Sequence, residues 1–207
     1  MKINEHSSNK KVFVFDLGGV ILKFSHQPIC EKMSNISGTP VDEIYEFIFK
    51  GSLERSYDTG QITSNDFYKR IIKYLKIDLP FDSFCNIWTD IFEENFEVSK
   101  ILSELKEQKY KLFLLSNTNE IHFNFVKSKF DILNVFDDYI LSYKAGCKKP
   151  DISIFKEVLK KTAIDPSGHI YIDDINENVI AARSIGMIGI DFKNAGKLTN
   201  DLADYLL

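Results

Sequence analysis

Three short, uninterrupted apolar runs in this chain each stop at a polar side chain. Val12–Phe15 runs into Asp16, Leu112–Leu115 into Ser116-Asn117, and Ile170–Ile172 into Asp173-Asp174. Tyr139–Leu141 and Ile188–Phe192 are further short apolar stretches, the second containing Asp191. A strand covered on both faces reads as a continuous apolar stretch, whereas a strand covered on one face alternates. Between the runs, apolar residues recur at helical spacing: Val98, Ile101, Leu102 and Leu105; then Ile154, Phe155, Val158 and Leu159; then Val179, Ala182 and Ile185. Gly186 stands where a helix end favours a left-handed residue. This alternation predicts an α/β fold, a three-layer Rossmann-like parallel sheet with right-handed crossovers.

Residues 26–95 break the rhythm, offering helical stripes and no convincing strand. Val41, Ile44, Tyr45 and Ile48 form one stripe, and Phe67, Ile71, Ile72 and Leu75 another. Thr63 to Asp66 supply capping residues before the second stripe. The expected organisation is an α/β core from residues 1–25 and 96–207, with an inserted α-helical cap over 26–95. A length of 207 residues suits one core plus such a module. Trp88 reads as core. Tyr57-Asp58-Thr59-Gly60 reads as a turn that either faces the site or merely joins two helices.

Charge excludes some partners. The 26 Lys and Arg are interspersed with 30 Asp and Glu for a net charge of −4, with no basic stripe to hold a nucleic-acid backbone. Cys30, Cys85 and Cys147 are widely spaced and lack metal-type pairing, as expected of reduced thiols. The opening MKINEHSSNKK has no apolar signal stretch, and the run around Asp16 is too short and too charged to span a bilayer. A cytoplasmic protein with no membrane partner is expected. His6, His26, His122 and His169 show no spacing that suggests metal ligation, and His122 reads as a packing residue close to Ser116-Asn117.

In open parallel sheets, ligands bind in the crevice beyond the strand C-termini. Polar ends on several strands would converge there, placing carboxylates beside a hydroxyl. Crowded carboxylates resist ionisation unless a cation joins them, and an oxygen-rich pocket of this kind suits Mg²⁺ with a phosphate.

Phe15-Asp16-Leu17-Gly18-Gly19-Val20-Ile21 resembles the first motif of the haloacid dehalogenase-like hydrolases. Leu115-Ser116-Asn117-Thr118 is similar to their second motif and Gly146-Cys147-Lys148-Lys149-Pro150-Asp151 to their third. Tyr171-Ile172-Asp173-Asp174, followed by Asn178 and Ala181-Ala182, resembles the fourth. The order and separations match members with a helical cap between the first and second motifs. The resemblance implies a Mg²⁺-dependent phosphatase acting on a small phosphate ester, as a monomer or dimer. It implies Asp16 as the nucleophile that forms an aspartyl-phosphate. Ser116 and the Asn117 backbone N–H would bind one phosphate oxygen. Lys149, which directly precedes the proline as the family's lysine does, would neutralise another. Asp16, the Gly18 carbonyl and Asp174 would hold the metal, with Asp173 as a further ligand or a supporting partner.

Position 18 departs from the pattern. Family phosphatases usually carry there a second Asp that protonates the leaving group, and Gly18 has no side chain. One reading is a substrate whose leaving group needs little protonation, such as a sugar 1-phosphate. The Asp-Leu-Gly-Gly form with Ser116-Asn117-Thr118-Asn119 resembles a subgroup that includes α-D-glucose-1-phosphate phosphatase. A second is a weakened, phospho-ligand-binding member of the fold. A haloacid dehalogenase is a third, disfavoured because a metal-free site gains nothing from paired acids. A receiver domain is disfavoured by the long insert after the first strand.

Overall fold

The computed structural model describes residues 11–206. The polar opening segment and His6 lie outside the described residues. The chain begins with β1 (Val12–Phe15) and β2 (Leu22–Phe24), then α1 (Gln27–Ser37), α2 (Val41–Tyr45), α3 (Leu53–Asp58), α4 (Ser64–Leu75), α5 (Phe81–Thr89), β3 (Phe92–Glu94) and α6 (Phe96–Glu107). It continues with β4 (Lys111–Ser116), α7 (Glu120–Lys129), β5 (Asp138–Leu141), α8 (Ser142–Ala145), α9 (Ile152–Thr162), β6 (His169–Asp173), α10 (Asn176–Ser184), β7 (Ile188–Asp191) and α11 (Ala195–Leu202).

Five strands form one parallel sheet in the order β5-β4-β1-β6-β7. The side-chain period of two divides its residues between the faces. Phe13, Phe15, Leu112, Leu114, Ile170 and Ile172 pack with α6, α7 and α11 in one apolar cluster. Val12, Val14, Phe113, Leu115 and Tyr171 pack with α9 and α10 in another. Both faces are therefore covered, which is why these strands read as continuous apolar runs. From β1 the chain moves to β4 and β5 on one side and only later to β6 and β7 on the other. The order thus reverses beside β1, and that switch point opens a crevice at the strand C-termini. No helix among the described residues is long and apolar enough to cross a membrane, and Cys30, Cys85 and Cys147 are free thiols.

The helices α1–α5 form an insertion with its own apolar cluster, including Ile29, Met33, Ile44, Ile48, Phe67, Ile71, Phe84 and Trp88. Thr63 caps α4 through a reciprocal box with Asp66, its Oγ1 accepting from Asp66 N at 3.1 Å. Trp88 is fully buried, packed edge-to-face on Phe67 with ring centroids 4.9 Å apart.

Two features depart from the sequence reading. The segment expected to hold no strand contains β3, which pairs antiparallel with β2 in a separate ribbon. Each strand is three residues long and largely solvent-facing, so neither produces an apolar run. Tyr57 and Asp58, expected in a turn, end helix α3, and the turn begins at Thr59.

Candidate active site

Strand register delivers the polar run-ends to one place. Phe15 pairs with both Leu114 and Ile172, so the residues that follow all leave the sheet at the same edge. Asp16 N still bonds Ile172 O at 2.9 Å, holding Asp16 in line with β6. Immediately beyond, Leu17 O accepts from both Ile21 N and Leu22 N at 2.9 Å, which closes a tight turn. Gly19 makes that turn possible. Its φ is +78°, and a Cβ there would lie 2.2 Å from Asp174 Oδ2. The glycine therefore allows the β1 turn to approach the carboxyl that follows β6.

Lys149 is the electrostatic centre. It is 3% exposed, and its Nζ lies 2.7 Å from Asp16 Oδ1 and 2.7 Å from Asp173 Oδ2. The Asn117 side chain sets its backbone, with Nδ2 donating to Lys149 O at 3.0 Å and Oδ1 accepting from Lys149 N at 2.8 Å. One residue on, the Ser142 hydroxyl accepts from Thr118 N and donates to Thr118 O, both at 2.9 Å. The loops after β4 and β5 are thus laced together, and the amide of Asn117 helps position the lysine. Asp173 is wholly buried and fully engaged. Besides Lys149 it accepts from Ile175 N at 2.8 Å, from Asn178 Nδ2 at 3.1 Å and from the Tyr171 hydroxyl.

Asp16, Asp173 and Asp174 each bring a carboxylate oxygen to within 4.8 Å of the other two. Burial, and then the nearby Asp173, push Asp16 up to about 7, against the pull of Lys149. Asp174 is likewise raised, by burial and then by Asp173. Burial also opposes ionisation of Asp173, yet the Lys149 ammonium and its hydrogen bond outweigh it and hold Asp173 below the usual range. Burial works against the Lys149 charge as well, but Asp16 and Asp173 lift its pKa above the ordinary value. One cation thus shares three acids, and the surplus negative charge is what a divalent ion would offset.

Asp16, Gly18, Ser116, Asn117, Lys149 and Asp174 line a single cavity of about 220 Å³. Asp173 is fully buried and joins the lining through its contact with Lys149. His122, read as a packing residue, does both jobs: it borders the cavity while its ring stacks on Trp88 and its Nε2 lies 2.9 Å from Trp88 O. A family model for haloacid dehalogenase-like hydrolases matches residues 14–190.

The chain belongs to the haloacid dehalogenase-like hydrolases.

Among similar proteins, a sesquiterpene phosphatase of Aspergillus oryzae is 26% identical over 87% of this chain and 88% of its own. A D-ribitol-5-phosphate phosphatase of Bacteroides thetaiotaomicron is 25% identical over 85% of this chain and 88% of its own. A solved structure of an enzyme of the family from B. thetaiotaomicron, in complex with magnesium and inorganic phosphate, superposes with a TM-score of 0.80. It is 28% identical and covers 89% of this chain and 95% of that one.

Several cavity residues of this haloacid dehalogenase-like chain escaped the sequence reading. His26, Glu54 and Asp58 reach the cavity from the insertion and Lys148 from the core. Lys148 Nζ lies 3.0 Å from Asp58 Oδ2, so the lysine next to Lys149 serves a different acid. Asp58 belongs to the segment whose sequence allows either a site-facing turn or a plain helix connection, whereas Glu54 and His26 carry no local signal. Packing of α3 against the core brings Glu54 there, and His26 arrives from the turn between β2 and α1. Gly60 shows how close that packing is, since a Cβ on it would lie 2.2 Å from Tyr143 O.

Proposed function

We propose that this chain is a magnesium-dependent phosphatase that hydrolyses a small phosphorylated metabolite, a sugar phosphate such as a sugar 1-phosphate, through an aspartyl-phosphate on Asp16. The observation that carries the reading is the position of the Lys149 ammonium, 2.7 Å from both Asp16 and Asp173 and beside a cluster of three carboxylates at the switch point. Residues 26–95 act as a helical cap over a core of 1–25 and 96–207. Two of the named relatives are phosphatases, one acting on a sesquiterpene ester and one on a polyol phosphate. A cavity of about 220 Å³ with Glu54, Asp58 and Lys148 on its wall suits a small hydroxyl-bearing ester better than a terpenoid.

In this mechanism Asp16 attacks phosphorus, the bond to the ester oxygen breaks, and water later hydrolyses the acyl phosphate. Lys149 neutralises one phosphoryl oxygen and favours the ionised form of Asp16 against the burial that raises it. Ser116 Oγ and the Asn117 backbone N–H donate to another. Asp16, the Gly18 carbonyl and Asp174 are the ligands for Mg²⁺, which offsets negative charge on the transferring group. Asp173 supports the set by holding Lys149. The test is a panel of sugar 1-phosphates, sugar 6-phosphates and p-nitrophenyl phosphate with Mg²⁺, run beside Asp16→Asn. Mg²⁺-dependent release that the variant lacks supports the reading. No release above the variant would leave a phospho-ligand-binding protein instead.

Magnesium should stabilise the fold in a pH-dependent way. Asp16 and Asp174 have raised folded-state pKa values, so without metal their contribution is most favourable below about pH 4 and declines as pH rises, for Asp16 up to about 7. Asp173, held low, works in the opposite sense and loses its contribution on acidification. Mg²⁺ at about 100 times its dissociation constant should add about 2.7 kcal/mol at pH 8, about 5–10 °C in Tm, and much less at pH 5. Equal shifts at the two pH values would contradict the carboxylate site.

Gly18→Asp tests the missing acid. A Cβ at Gly18 would come 2.6 Å from the Phe24 ring, but Phe24 is 45% exposed and free to swing away. The substitution is expected to raise turnover of alkyl phosphates more than of phenyl phosphates, and pairing it with Phe24→Ala should enlarge the gain. Equal gains for both esters would argue against the leaving-group account, and no gain for either is the result expected if another residue already supplies the proton.

A further inference from the structure

The cavity wall carries the carboxyl groups of Asp16, Glu54, Asp58 and Asp174. Three of them already have work. Asp16 faces Lys149, Asp174 belongs to the acid cluster, and Asp58 accepts from Lys148 at 3.0 Å and Asn119 at 3.4 Å. Glu54 makes no hydrogen bond among the described residues. Its carboxyl meets His26, whose Nε2 lies 3.8 Å from Glu54 Oε1. A continuous set of contacts leads from Gly18 to this group. The Phe24 ring takes the space into which a side chain at Gly18 would point. Phe24 in turn packs on His26, with ring centroids 5.3 Å apart, and His26 abuts Glu54. Where other phosphatases of the family place an aspartate, this chain has an aromatic wall, and the Glu54 carboxyl follows it along the cavity lining.

We propose that Glu54 is the acid–base group of this enzyme, delivered from the helical insertion in place of the absent side chain at position 18. The inference rests on the phosphatase reading above and supplies its missing proton. In the first step an Asp16 oxygen bonds to phosphorus, the P–O bond to the leaving group breaks, and the leaving oxygen takes the proton of the Glu54 carboxyl. In the second, the Glu54 carboxylate accepts a proton from the water that attacks the phosphoryl-Asp16, which restores both groups and releases phosphate. Burial, and then Asp58, raise Glu54 to about 7 against the pull of Lys148, so near neutrality both forms are populated. His26 is the poorer donor, because burial and Lys148 lower it to about 4. His26, Asp58 and Lys148 are the titratable groups that face Glu54.

The test compares Glu54→Gln with the wild type on an alkyl ester, D-ribitol 5-phosphate, and on p-nitrophenyl phosphate, whose leaving group needs little protonation. Loss of a positioned donor should lower kcat/KM for the alkyl ester by roughly 10²–10³-fold and for the aryl ester by under about tenfold. A matched fall on both esters, or no fall on either, would overturn the assignment. Asp16→Asn run alongside separates the two claims. If it silences both esters while Glu54→Gln leaves their ratio unchanged, the phosphatase reading stands and the Glu54 role fails; if it silences neither, both fall. Should Glu54→Gln lose its cooperative melt, the wild type alone decides. Its kcat/KM for the alkyl ester should decline above about pH 7 while that for the aryl ester does not, and parallel profiles would overturn the proposal.

Discussion

Asp16→Asn is expected to lower turnover by roughly 10⁴–10⁶-fold, the range seen when a nucleophile that acts as part of a unit is removed. The amide has the shape of the carboxylate but no anionic oxygen to bond to phosphorus. The fold should survive. Lys149 keeps its contact to Asp173 at 2.7 Å, so its buried charge is not stranded. The β1 turn keeps its backbone bonds from Ile21 N and Leu22 N to Leu17 O. Exchanging a buried carboxyl for a neutral amide also relieves the desolvation that raises the Asp16 pKa. The checks are single-turnover kinetics for the rate and thermal melting for the fold. Activity within about tenfold of wild type in a well-folded variant would place the nucleophile elsewhere.

Lys149→Met should be as damaging to the fold as Asp16→Asn is to the chemistry. The lysine is 3% exposed and ion-paired to two carboxylates, and removing one member of such a buried set typically costs about 3–5 kcal/mol because uncompensated charge remains. Turnover should also fall, by at least roughly 10²–10³-fold, the usual cost of losing one donor to the transition state. The stability loss has a predictable sign with pH. Without the ammonium, the carboxyls of Asp16 and Asp173 are both raised in the folded state, so the deficit grows as pH rises through their folded values. It shrinks below about pH 4, where both acids are protonated folded or unfolded. Lys148→Met is the control. Its partner Asp58 is itself buried, but it also accepts from Asn119, and the Lys148 side chain is 23% exposed, so a smaller cost than for Lys149 is expected. Chemical denaturation of both variants at pH 5 and pH 8 measures these differences. Equal losses for the two lysines would remove Lys149 from the centre of the site.

Much of the fold was legible because burial leaves a direct trace in a parallel sheet. β1, β4 and β6 are covered on both faces, so each reads as an apolar run, and each polar residue ending a run marks a strand C-terminus. β2 and β3 left no such trace. They are short, they bury few side chains, and only their pairing to one another defines them. The π-helical turn Glu46–Lys50 that extends α2 was equally silent, because Ile44 and Ile48 keep an ordinary helical spacing.

At the site, the chemistry-bearing residue types and their place on strand ends came from local pattern, because a strand end is a local event. How the two adjacent lysines divide their work did not. Lys149 turns inward to Asp16 and Asp173, while Lys148 turns to Asp58 on the insertion. That division depends on the Asn117 clamp and on the packing of α3, both contacts between residues far apart in the chain. Glu54 and His26 belong to the same category. Sequence by itself therefore determined the layered sheet, the helical insertion and the acids at the strand ends, since each follows from neighbours within a few residues. Tertiary structure alone decided which carboxyls meet, which are held low and which are raised, since proximity and desolvation are properties of the assembled fold.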